Sequence, residues 1–329
     1  MTRHEISTLD SILQTNPFLP EVEKWRNDLD AFRDGQIGIE KLQFVLESDK
    51  SNFAWYQHKV ARRSEDKDTF IHPEVLPQPF IGDPRAPIWY LLLNPGFSYL
   101  DYYDHLGICP CCQRMLITEN RADKSAVFDS GRDALGELKN RQNYLLAQLK
   151  LEGGLPFYMI DESFNTLKDT LWHSRDGGYK WWKTVLFGAN KAEGFLLSDN
   201  GVMPDPVSVG QKIFVLECAP YHSKNFDRRV LWEENKYAKF WTRLISWAVE
   251  TNRKFIVRSE QVASLLVQNK LQVNESNSLR FSSRQNCALT QRNLNGQDCV
   301  KDAIRNALLS SEETLNLKTD LPKPLGGCR

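Results

Sequence analysis

IWYLLLNPGFS, residues 88 to 98, is a run of six apolar residues that stops abruptly at Asn-Pro-Gly. A run this short, rich in aromatic and aliphatic side chains and closed by turn formers, predicts a strand buried on both faces. Residues 213 to 216 in KIFVLE and 255 to 257 in KFIVRS are two more runs of the same kind. Between them LWEENKYAKFWTRLISWAVE, residues 231 to 250, carries its apolar side chains at helical spacing. Strands without alternation, joined by a helix, predict an α/β fold with a central parallel sheet covered by helices in three α/β/α layers. Ligands of such sheets bind beyond the carboxyl ends of the strands. The three runs meet that edge at Asn94, at Glu217, and at Arg258 with Ser259.

Working outward, residues 7 to 65 read as helical. Ile12, Leu13, Val22, Trp25, Leu29 and Phe32 recur every three or four positions, and Leu42, Val45 and Leu46 continue the pattern. HPEVLPQPFIGDPRAP, residues 72 to 87, holds five prolines and reads as an extended linker. The expected organisation is a helical appendage with linker over 1 to 80 and an α/β domain over 81 to 329, with an insertion at about 99 to 153.

The chain has 329 residues, 41% of them hydrophobic, enough for a substantial core. Its first residues lack the apolar centre of a secretory signal, and no run approaches the roughly 20 apolar residues that span a bilayer. A cytoplasmic protein is expected, with no membrane partner. Seven scattered cysteines are expected to be thiols. Lysine plus arginine equals aspartate plus glutamate at 42 each, yet residues 201 to 300 hold 14 basic and 9 acidic side chains. A neutral chain can thus turn a basic face to a polyanion. Glycine-rich dinucleotide fingerprints, phosphate loops, nucleophile elbows and paired zinc histidines are all missing from the sequence, so no nucleotide cofactor is expected.

Four segments in order resemble the uracil-DNA glycosylase superfamily, whose members cut the bond between a base and its deoxyribose. LLLNPGFS, 91 to 98, is similar to the motif in which a strand ends in Asn-Pro-Gly. GLPFYMID at 154 to 161, followed by GGYKWWKTVL at 177 to 186, resembles the base-stacking segment and its tryptophan-anchored helix. FVLECAPYHSKNF, 214 to 226, stands where the base edge is read, and RFSSRQNCALTQRNL, 280 to 294, where the strand is gripped. The likeness implies that Asn94 orients the attacking water, that Phe157 stacks on a flipped base with Phe97 and Tyr158 beside it, and that Glu217 contacts the base edge. Ser98, Tyr221, Ser223, Lys224, Ser282, Ser283, Arg284 and Arg292 would then contact DNA, and Leu289 would wedge into the vacated stack. His222 is placed either at a phosphate or as the acid that protonates the leaving base. An asparagine bonded to its own backbone in a turn, or Glu217 paired with Arg258, would also fit these residues.

The segment at 280 to 294 lacks the His-Pro-Ser or Asn-Pro-Ser of the family and reads Ser282-Ser283-Arg284. Glu217 stands where uracil-cleaving relatives commonly carry asparagine. An ionised carboxylate only accepts hydrogen bonds, so it repels the uracil carbonyl and accepts from the cytosine amino group, whereas a buried, protonated one could also donate to N3. Removing plain cytosine would destroy the host genome, so the expected target is a modified cytosine, as in phage DNA. The resemblance therefore implies a monofunctional DNA glycosylase that leaves an abasic site, without metal or cofactor. A uracil or mismatch glycosylase, and a silent nucleic-acid-binding module, are the alternatives. Cys109 and Cys112 bracket Cys-Pro-Cys-Cys without a second pair of zinc spacing, so no metal is assigned.

Overall fold

The computed structural model describes residues 8–50, 71–96, 105–107, 134–151, 196, 206–223, 235–282 and 289–310. The chain is α/β, built on a six-stranded mixed sheet. Its strands are β1 (Phe80–Ile81), β2 (Ile88–Leu92), β3 (Ile213–Glu217), β4 (Lys254–Val257), β5 (Ser278–Phe281) and β6 (Leu294–Asn295), in the spatial order β1-β3-β2-β4-β5-β6. The four inner strands run parallel, and β1 and β6 pair antiparallel at the two edges. The expected parallel sheet is its centre.

The three apolar runs are three of the four inner strands, β3, β2 and β4. All five residues of β2 are buried, as its unbroken hydrophobicity demands. Trp89 stands in register with Phe214 on one side and Phe255 on the other. This aromatic row packs against α5 (Lys236–Glu250), where Trp247 lies 6.1 Å from Trp89 between ring centroids. Tyr90, one residue on, faces the opposite side and meets Phe281. Helix α5 joins β3 to β4 across β2, so those two strands are not neighbours. Helix α6 (Glu260–Gln268) joins β4 to the adjacent β5. Helix α7 (Asp298–Leu309) buries Val300, Ile304 and Leu308, one face at four-residue spacing, and packs on β2, β4, β5 and the short α4 (Pro206–Gly210). In chain order the parallel strands read second, first, third, fourth. The first and third, β2 and β4, flank the point where the winding reverses.

The N-terminal residues are not set apart from this core. Helices α1 (Leu9–Leu13) and α2 (Val22–Arg33) follow the predicted periodicity. Phe18, Trp25, Leu29 and Phe32 belong to the same hydrophobic cluster as the sheet. Phe18 lies 6.0 Å from Phe80 and 5.7 Å from Tyr237 of α5. The boundary expected at 80/81 falls inside β1. Residues 42–46 are extended rather than helical, because Phe44 N donates to Pro73 O at 2.6 Å and satisfies this stretch against the proline-rich segment instead of within a helix. That segment is extended as expected, but Val75, Leu76, Gln78 and Phe80 are buried, so it is a core strut and no linker. The described part of the expected insertion, α3 (Ala134–Lys150), also enters the core. Its Leu145, Leu146 and Leu149 are buried, and Gln148 Oε1 accepts from Gly82 N at 2.7 Å. Cys218 is a free buried thiol, whereas Cys299 is disulfide-bonded, against the expectation of thiols throughout. Among the described residues no helix is long and apolar enough to cross a membrane.

Trp25 is fully buried between Phe18 and Phe44. Trp25→Ala is expected to destabilise the whole chain by about 3–5 kcal/mol in one cooperative transition. Urea unfolding followed by fluorescence of the remaining tryptophans checks this, and a separate early transition would mean that the N-terminal helices fold independently.

Candidate active site at the carboxyl edge of the sheet

Asn94 follows β2 by two residues at the winding reversal, half-buried. Its Nδ2 donates to Ser223 O at 2.8 Å and to Ser223 Oγ at 3.1 Å. A backbone carbonyl only accepts, so the amide can face Ser223 only with its nitrogen. Both amide hydrogens are committed, and Oδ1 has no hydrogen-bond partner among the described residues. This is not a turn asparagine serving its own backbone, because Ser223 is 129 positions away. Gly96 completes the turn at φ +74°, a left-handed conformation that suits glycine. A Cβ there would meet nothing within 4 Å, so the space over this backbone is open.

Gly96 O accepts from His222 Nδ1 at 2.9 Å, which fixes the hydrogen on Nδ1 and leaves Nε2 as the other ring atom. The His222 ring stands edge-on to His105, 5.2 Å between centroids. His105 is 2% exposed, and its Nδ1 has no hydrogen-bond partner among the described residues. Burial first, then His222 and Arg141, hold the His105 imidazole well below its ordinary value, so it stays neutral. His105 was no part of the expected site. It belongs to no motif, and only the tertiary fold sets it beside His222.

Glu217, the last residue of β3, is in register with Leu92. It is 3% exposed, and Oε2 has no hydrogen-bond partner among the described residues. Burial pushes its carboxyl well above the usual carboxylate range, with no cation among the described residues opposing it. The expected alternative, a pair with Arg258, does not form. The Arg258 guanidinium instead lies over the Phe281 ring, 5.1 Å from its centroid. The neighbouring Cys218 thiol is pushed up by burial and then by Glu217, which disfavours a thiolate nucleophile.

Three expected DNA contacts are corrected. Tyr221 is 3% exposed, with its hydroxyl donating to Asp49 Oδ2 at 2.5 Å, so it cannot reach a phosphate. Ser223 is buried as the partner of Asn94. Leu289 is fully buried in the core, and its carbonyl accepts from Leu196 N at 2.7 Å, so it cannot serve as a wedge without unfolding the site. Ser282 and Arg292 are exposed on the β5–β6 hairpin, where Ser282 Oγ donates to Asn293 O at 3.1 Å. Phe97, Ser98, Phe157, Tyr158, Lys224, Ser283 and Arg284, with Cys109 and Cys112, lie outside the described residues. No three His, Cys, Asp or Glu side chains gather at a possible metal position among the described residues.

In comparisons with protein-family models, curated proteins and solved structures, the chain matches none.

Folding favours the neutral form of Glu217, because its value in the folded chain is raised. Its contribution to stability is complete below the unfolded carboxylate value and is lost as pH rises through the folded one. Glu217→Gln is expected to flatten the decline of Tm between about pH 5 and about pH 9 and to exceed the wild type at the alkaline end. Parallel Tm profiles for the two proteins would contradict the burial of an uncompensated carboxyl.

Proposed function

We propose that the chain is a monofunctional DNA glycosylase that hydrolyses the N-glycosidic bond of a flipped, modified cytosine and leaves an abasic site. The carrying observation is the Asn94 amide, with Nδ2 held by Ser223 and Oδ1 without a hydrogen-bond partner among the described residues. An oxygen fixed in this way can accept from a water and orient its lone pair toward the sugar carbon as the base departs. Positioning and electrostatics of this kind supply much of the rate for a transition state with oxocarbenium character. The open space at Gly96 supports close approach of a nucleotide. His222 Nε2, the ring nitrogen not used on Gly96, carries a proton only in the imidazolium form, and in that form it is the candidate proton donor to the leaving base.

Glu217 carries the substrate part of this reading. Kept neutral by burial, it offers one O–H donor and a carbonyl acceptor. That pair matches cytosine, whose amino group donates and whose N3 accepts. It also matches uracil, whose C4 carbonyl accepts and whose N3–H donates, so neutrality lifts the exclusion that an ionised carboxylate imposes. The same observation therefore favours a second reading, a uracil or mismatch glycosylase, and a substrate panel separates the two. The three-layer architecture of the glycosylase superfamily remains part of this proposal.

Asn94→Ala is expected to slow base release by about 10²- to 10³-fold while the Kd for the same DNA changes by less than about threefold. Mass spectrometry of free bases from uracil-containing, 5-modified-cytosine and plain DNA is the measurement. Absence of any freed base with the wild type would leave a binding module in place of an enzyme. Release of uracil alone would select the second reading.

A further inference from the structure

We propose that residues 42–50 are a positioning part of this site, in which the buried side chain of Asp49, through Tyr221, sets where Asn94 stands. The inference rests on the glycosylase reading of that site only for its kinetic arm.

Asp49 is 3% exposed. It accepts from Tyr221 Oη at 2.5 Å and from Ser48 Oγ at 3.0 Å. A carboxylate has about four acceptor positions and can take such donors on both oxygens at once, which no neutral side chain of its size does. Burial raises the Asp49 carboxyl, and the hydrogen bonds from Tyr221 and Ser48 pull it back. Burial also raises the Tyr221 hydroxyl, so it remains a donor.

This contact leads into the site. Tyr221 also accepts from Leu46 N at 3.2 Å, and the next two residues are His222, on Gly96, and Ser223, on Asn94. The backbone of the same loop is held by the proline-rich strut, with His72 N donating to His222 O at 3.0 Å and Gln78 N to Pro220 O at 2.9 Å. A segment that only filled the core would need no buried acid tied to the loop that holds Asn94.

The test uses the full chain with Asp49→Asn and Tyr221→Phe, singly and together. Three quantities are read: single-turnover base release at saturating DNA, Kd for the same DNA, and hydrogen exchange at the Asn94 side-chain amide and the Leu46 amide. The expected result is release slowed by about tenfold or more with Kd within about threefold, the double variant no slower than the slower single, and faster Asn94 exchange while the β2 and β4 amides stay protected. Wild-type release together with unchanged Asn94 exchange would overturn the proposal. If the wild type frees no base from any DNA, the glycosylase reading fails, and Asn94 exchange alone decides the positioning: acceleration supports it and no change refutes it. Should Asp49→Asn not fold, Tyr221→Phe, which removes a single oxygen, carries the same readouts.

Discussion

Past the ends of β2 and β3 the two chains stay hydrogen-bonded, with Cys218 N donating to Leu92 O at 2.9 Å and Ala219 N to Leu93 O at 2.8 Å. The ladder thus extends into the turns, where Asn94 and Ser223 continue it with side chains. Because β2 is flanked by β3 and β4 and buried on both faces, its carboxyl end has little freedom to shift. Everything at the candidate site hangs from this tie. The orientation of the Asn94 amide, the open backbone at Gly96 and the placing of His222 all follow from two parallel strand ends held in register.

The same closeness sets the electrostatics. Glu217 and Cys218 are pushed up and His105 is pushed down, and in each the largest cause is loss of water. Burial penalises every charged form whatever its sign, so the three groups converge on neutrality. Neutral donors and acceptors in a dry edge act on a ligand at short range, with little screening. Asp49 is held differently. It shares the burial but accepts from Tyr221 and Ser48, which offset part of its desolvation and tie residues 42–50 to the loop after β3.

The N-terminal helices close the fold on the side of α5. Phe18, Phe80, Phe214, Phe240 and Tyr237 form one aromatic contact set drawn from α5, two strands and the stretch before α2. Rings from such distant positions meet because the row on β3 and β2 is too wide for α5 to cover alone, and apolar area left in water is costly. The periodicity of α1 and α2 announced amphipathic helices, but an apolar stripe does not say what it covers.

Short two-sided apolar runs and a helix between two of them were enough to read β2, β3, β4 and α5 from the chain itself, since burial on both faces demands continuous hydrophobicity. The turn after β2 was legible too, because Pro95 and Gly96 constrain the backbone locally. Strand order was not legible: β2 separates β3 from β4, and register depends on packing between segments more than a hundred residues apart. The short β5 and β6, with polar and exposed residues among them, gave no periodic signal. Burial of Tyr221, Ser223 and Leu289 was equally hidden, since a hydroxyl or a leucine in a loop carries no mark of which side faces water. Asn94 and Glu217 could be named from strand ends alone, but only the folded chain decided that one amide has a single orientation and that one carboxyl has no cation beside it among the described residues. Those properties belong to neighbours brought together by tertiary contacts and not to any local stretch of sequence.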